Sequence, residues 1–119
     1  MLAPVNSMDS LRLALRQFAA ERDWDQFHSP KNLAIALSIE ASELLEHFQW
    51  MAETDSNLLP PEKLNQVRDE MADVLIYLVR MADKLGVDLL EASSKKLEVN
   101  AKKYPAEKVR GSAKKYTDI

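Results

Sequence analysis

The 119-residue sequence contains no cysteine. That excludes a disulfide framework, a thiolate metal centre and a cysteine nucleophile, and it fits a cytoplasmic protein. Glycine is almost as scarce, with only Gly86 and Gly111. Two isolated glycines cannot build G-x-x-x-x-G-K-[ST] or G-x-G-x-x-G, so neither phosphate-cradling loop is available. No apolar run approaches the roughly 18 residues of a membrane span. The segment from Met1 to Met8 has no basic stretch followed by an apolar one, so it does not read as a signal peptide. An excess of positive charge is also missing, since 16 basic residues face 19 acidic ones for a net charge of −3. That balance excludes a broad electrostatic footprint for nucleic acid. Neither a nucleic-acid polymer nor a membrane is expected as a partner.

The composition is that of an ordinary soluble domain, 46% apolar and 29% charged. The length suits one domain spanning 1–119. A chain this short buries a modest share of its surface alone, so oligomerisation is expected to help.

Four segments carry helical periodicity and none reads as a strand. The first runs from about Asp9 to Arg22, with Leu11, Leu15 and Phe18 in register. Asp23 to His28 then breaks the pattern as a loop. In the second, Ser29 is a good N-cap and Pro30 suits the first helical position, and the helix is expected to reach Trp50 or Met51. The third starts near Pro61 and stops at Gly86, a C-cap glycine. The fourth starts at Asp88, with Glu91 completing a capping box, and reaches about Lys103 before Tyr104-Pro105. The tail 105–119 is basic and weakly apolar, and is expected to be at most partly ordered or docked on a neighbour. Four helices with short connections predict an all-α fold, a four-helix bundle.

The carboxylates are the informative feature. With about 100° per residue, Glu40 lies in line with Leu33, Leu37 and Leu44, and Glu43 shares the side of Ala36 and His47. On the third helix Glu70 lies between Val67 and Val74, and Asp73 falls one turn before Tyr77. Glu21, Glu53, Glu62 and Asp83, by contrast, read as residues of polar faces or loops. One E-x-x-E pair on a helix is more often a solvated face. Two such pairs, both on apolar sides, put like charges where burial is costly. A cation offsets that cost. Oxygen-only ligands suit Mg²⁺, with Mn²⁺ as a substitute, better than Zn²⁺.

The pair Glu40-Ala-Ser-Glu43, then 26 residues, then Glu70-Met-Ala-Asp73 resembles the MazG-like all-α nucleoside triphosphate pyrophosphohydrolases. The dCTP pyrophosphatase branch is the nearer likeness. It is carried by Phe18 to His28, with its R-D-W-x-Q-F-H run, by Glu43 to Trp50, by Asp73 to Val79, by Tyr104-Pro105 and by Lys115-Tyr116-Thr117. The resemblance implies a four-helix core assembling as a homotetramer, a dimer of dimers. It implies cleavage of a nucleoside triphosphate to the monophosphate and pyrophosphate, in sanitation of the nucleotide pool. It also implies Mg²⁺ held by Glu40, Glu43, Glu70 and Asp73. Glu43 and Glu40 are the expected catalytic carboxylates, with Glu43 favoured as the acceptor of the water proton.

Further substrate contacts follow from the same likeness. Trp24 and Trp50 are expected to contact the base or sugar; Phe27 stands evenly between stacking and packing, and His28 borders the base pocket. Tyr77 is expected at the sugar. Lys96, Asn100 and Tyr104 share one face of the fourth helix, where Lys96 would neutralise phosphate and Asn100 would hydrogen-bond the nucleotide or orient an acid. Without the likeness, the lysine reads as solvated and the aromatics as core. His47 reads as a surface residue or one supporting the acids. Leu15 departs from the vertebrate dCTP enzymes, where a histidine is expected, which puts a strict preference for dCTP in question. The readings that stand beside dCTP, or a modified dCTP, are a broad dNTP hydrolase, a di-iron protein and a non-catalytic helical assembly. Di-iron bundles use Glu-x-x-His pairs, and neither Glu43 nor Asp73 is a histidine.

Overall fold

The computed structural model describes residues 4–119. The first three residues of the Met1 to Met8 stretch therefore lie outside the described residues. Among the described residues there are five α-helices and no strand: α1 (Met8–Glu21), α2 (Pro30–Glu46), α3 (Pro61–Leu85), α4 (Leu89–Lys103) and α5 (Ala106–Val109). Short 3-10 turns occupy Asp25–Phe27, Glu53–Asn57 and Tyr116–Asp118. No helix is long and apolar enough to cross a membrane. The chain divides into two compact units, Met1–Gly86 and Val87–Ile119.

In the first unit α3 is the central element, with α2 packed along it and α1 packed on it. The helix ends follow local chemistry. Ser7 and Ser10 cap α1 reciprocally, each side chain bonding the other's backbone N–H. Ser29 accepts from the Asn32 amide at 3.1 Å, with Pro30 at the first position of α2. Gly86 ends α3 at φ 67°, the left-handed conformation that glycine adopts without a Cβ penalty. The buried apolar set is small: Ala14 and Ala19 of α1, Leu33 of α2, and Val67, Val79 and Ala82 of α3.

Helix α2 stops at Glu46, short of the expected Trp50 or Met51. Its last turn tightens, with the His47 amide bonding Leu44 O at 3.3 Å and the Phe48 amide bonding Leu45 O at 2.9 Å. Such i→i−3 bonds replace the α-helical ladder and end it. Trp50 is consequently a turn residue and not the end of a helix.

In the second unit, Asp88 accepts from the Glu91 amide at 3.0 Å, which realises one half of the expected capping box. The tail is more regular than its composition suggests. It forms α5, and the Tyr116 ring meets Tyr104 edge-on at 6.0 Å under the Lys103 ammonium at 4.9 Å.

Candidate metal centre

One carboxylate oxygen from each of Glu40, Glu43 and Glu70 lies within 4.8 Å of the others. Two of these residues come from α2, three positions apart, and the third from the facing α3. The side on which they sit is set by Leu33 and Val67, both buried, one in each helix. Seven residues make two turns, so Glu40 follows Leu33 along the buried stripe. Glu70 follows Val67 by three. Packing of those apolar residues draws the acids together.

The cluster is electrostatically unrelieved. Glu40 Oε2 and Glu70 Oε2 are buried with no hydrogen-bond partner. Burial, then the adjoining carboxyls of Glu70 and Glu43, and then the charge of Asp73, push the Glu40 carboxyl up to about 7. Asp73, half-buried on α3, acts on Glu40 through its charge, while the close group of oxygens comprises the three glutamates. An all-oxygen set with orphaned buried atoms fits a hard divalent cation, which would satisfy the lone pairs and cancel the repulsion.

The second constellation surrounds the turn Asp25–Phe27. Arg80 of α3 is 4% exposed. Its Nη2 donates to Asp25 Oδ1 at 2.6 Å, its Nε to His28 Nδ1 at 3.1 Å and its Nη1 to Asp83 Oδ2 at 3.5 Å. Lys84 also bonds Asp25. From α2, the Asn32 side chain donates to Phe27 O at 3.0 Å. The turn is thus held from two helices.

Sequence reasoning did not single out Arg80. A lone arginine in an apolar stretch, between Val79 and Met81, was the available signal. Asp83 is not the polar-face residue that its spacing predicts. Its side chain is 8% exposed and takes Arg16 at 2.6 Å and Arg12 at 3.4 Å, besides Arg80. The Arg16 hydrogen bond is the largest cause holding its carboxyl below the usual range.

The remaining expected contacts are placed as follows. Trp24 meets Phe18 edge-on at 5.8 Å and leaves part of its ring exposed. Phe27 is exposed, and Trp50 is 90% exposed. Tyr77 is half-buried on α3, one turn from Asp73 and one from Arg80. His47 Nδ1 lies 3.3 Å from Lys63 Nζ, bridging the end of α2 to α3. In the second unit Lys96 and Asn100 line one shallow open groove with Ala92, Ser93 and Leu97.

Residues 35–119 match the model of the MazG-like family. The mouse dCTP pyrophosphatase 1 is 44% identical over 119 residues, covering 98% of this chain and 70% of the mouse protein. The human dCTP pyrophosphatase 1 is 42% identical over 121 residues, with the same coverage of 98% and 70%. Among solved structures, a pyrophosphatase from Archaeoglobus fulgidus is 40% identical with a TM-score of 0.74, covering 88% of this chain and 98% of that one. The family match begins inside α2, whereas the mouse and human proteins align over nearly the whole chain.

Proposed function

Because the chain belongs to the MazG-like family, we propose that it is a nucleotide pyrophosphohydrolase that cleaves dCTP, or a modified dCTP, to the monophosphate and pyrophosphate. The observation that carries this reading is the pair of buried, unpartnered oxygens on Glu40 and Glu70 within the carboxylate cluster.

Glu40, Glu43, Glu70 and Asp73 would hold Mg²⁺, or Mn²⁺ in its place, which supplies neutralisation of the triphosphate and an acidified water. Carboxylates alone repel a triphosphate, so the acids act on the substrate only when their own charge is offset. Glu43 and Glu40 are the catalytic carboxylates of this reading; an oxygen of one accepts the proton of the attacking water. Trp24, Phe27 and Trp50 offer exposed ring faces for the base. His28 would supply a polar contact at the base and Tyr77 one at the sugar; by the family likeness Lys96 would neutralise phosphate and Asn100 would hydrogen-bond the nucleotide or orient an acid.

The working form in this reading is one 1–119 domain in a cytoplasmic homotetramer with a four-helix core. Ile35 and Ile39 of α2 and Met71, Leu75 and Leu78 of α3 are all more than a third exposed, at helical spacing. Subunit contacts would cover those stripes. Leu15, half-buried in α1, favours a second reading in which several dNTPs are accepted.

The test is turnover of a dNTP panel by the full chain with Mg²⁺, with EDTA, and by Glu40→Gln. Pyrophosphate release with dCTP that stops with EDTA and falls at least about 100-fold in the variant is expected. No turnover of any nucleotide by folded, Mg²⁺-supplied protein would favour a non-catalytic assembly.

A further inference from the structure

The guanidinium of Arg80 uses all three of its nitrogens, each on a different residue: Asp25, His28 and Asp83. Asp25 and Asp83 account for the charge of a buried arginine. The bond to His28 does something else. Arg80 Nε is always a donor, because arginine does not give up its proton in a protein. His28 Nδ1, 3.1 Å away, must therefore be the acceptor and carry no proton. In a neutral imidazole the proton then resides on Nε2.

The charges around the ring act in the same direction. Burial, then the positive charges of Arg80 and Lys84, push the His28 pKa below its ordinary value, and Asp25 opposes them in part. These are the charged groups facing His28 from α3 and from its own turn. Among the described residues, Nε2 makes no hydrogen bond. The ring's free edge is thus a neutral donor.

The turn lies over an informative face. Asp73, Tyr77, Arg80 and Lys84 recur at i, i+4, i+7 and i+11 and share one side of α3. His28 is anchored about 10 Å along the helix from Asp73, given about 1.5 Å per residue.

We propose that Arg80 is a positioning residue that fixes His28 as the neutral, Nε2-protonated imidazole, so that the turn offers a hydrogen-bond donor to a carbonyl oxygen of the nucleotide base. The identity of the acceptor rests on the nucleotide reading above; the tautomer does not. A neutral donor suits an uncharged oxygen. Cytosine, thymine and guanine each carry a carbonyl, and adenine carries none. Adenine's acceptors are ring nitrogens set further back than a carbonyl oxygen, so a donor placed for that oxygen pairs poorly with dATP.

The experiment is histidine-labelled nitrogen NMR on the full chain, with dCTP and dATP kinetics on the same samples. His28 and His47 are the only two histidines, so a His28→Gln spectrum assigns both. In the wild type, His28 should show one tautomer, protonated at Nε2, and should stay neutral through neutral pH. In Arg80→Gln the ring should average between tautomers and titrate at higher pH. KM for dCTP should rise about five- to tenfold, the worth of one hydrogen bond, with kcat retained, and the preference for dCTP over dATP should shrink by the same factor. Arg80→Lys, which keeps the charge and loses the fork, should not restore the single tautomer. A wild-type His28 that already averages, or one protonated at Nδ1, overturns the proposal without need of any variant. A tautomer change that leaves the dCTP-to-dATP ratio unmoved overturns the contact to the base. Absence of hydrolysis with every nucleotide, beside a single Nε2–H tautomer, removes the nucleotide reading and leaves the positioning role.

Discussion

A carboxylate oxygen of Glu40 on α2 lies within 4.8 Å of one of Glu70 on α3, and both residues bury an Oε2 that has no hydrogen-bond partner. The helices that bring these atoms together are joined by the packing of Leu33, Val67 and their neighbours. Apolar burial thus holds like charges at a distance they would not choose in water, and only a proton or a cation relieves them.

The protonation state of Glu40 should be legible in stability. Its carboxyl is raised from an ordinary 4.5 to about 7, so the folded chain binds this proton more tightly than the unfolded one. That contribution is full below about 4.5 and is lost as pH rises through about 7. The melting temperature of EDTA-treated protein should fall across this window. Mg²⁺ should restore it above the window, by about 2.7 kcal/mol at a hundred times Kd. Glu40→Gln should flatten both effects. Calorimetry with and without metal checks this, and a wild type whose melting ignores pH and Mg²⁺ removes the account of the cluster.

Asp83 gives the opposite sign. Its lowered carboxyl contributes stability above its ordinary pKa and loses it as pH falls below. Asp83→Ala leaves Arg80 buried with one anion fewer, which should cost about 3 kcal/mol and should weaken the acid limb of the stability curve. Urea unfolding near neutral pH and in acid measures both.

Gly86→Ala tests the end of α3. No heavy atom would lie within 4 Å of the added Cβ, so the cost is conformational, from φ 67° alone. A loss of about 1 kcal/mol is expected, read as a lower urea midpoint at unchanged slope. A neutral or stabilising outcome contradicts the left-handed cap.

Trp50 separates packing from binding. A side chain that is 90% exposed contributes little to the fold. Trp50→Ala should therefore change stability by less than about 0.5 kcal/mol. If the ring stacks on the base, the variant should raise KM for dCTP by roughly 5- to 100-fold, given about 1–3 kcal/mol for a stacked base. Equal KM in variant and wild type takes Trp50 out of the site.

Much of this arrangement was legible in the sequence because it depends on local chemistry. Ser29-Pro30 starts α2, Pro61 starts α3 and Gly86 ends it, as their conformational preferences dictate. The acids could be placed on the apolar sides by angular spacing, and three of the four converge closely in space. What spacing did not reveal was tertiary. The end of α2 at Glu46 follows from a tightened last turn that no single residue announces. Asp83 looked solvated because its partners, Arg12 and Arg16, lie far away in the chain on α1. Arg80 has no legible role in the sequence, because a cation among apolar residues has meaning only once Asp25 and His28 fold against it. The chain belongs to the MazG-like family, and the proposed reaction gives the acids their role; the placement of Asp83 and Arg80 is tertiary.

The most direct test follows dCTP and Mg²⁺ by phosphorus NMR with the full chain in heavy-oxygen water. The account predicts dCMP and pyrophosphate as the only initial products, no turnover in EDTA, and loss of turnover in Glu40→Gln. Release of inorganic phosphate and dCDP instead would place the cleavage at the wrong bond, and unchanged hydrolysis by Glu40→Gln would contradict the role given to the Glu40–Glu43–Glu70 cluster.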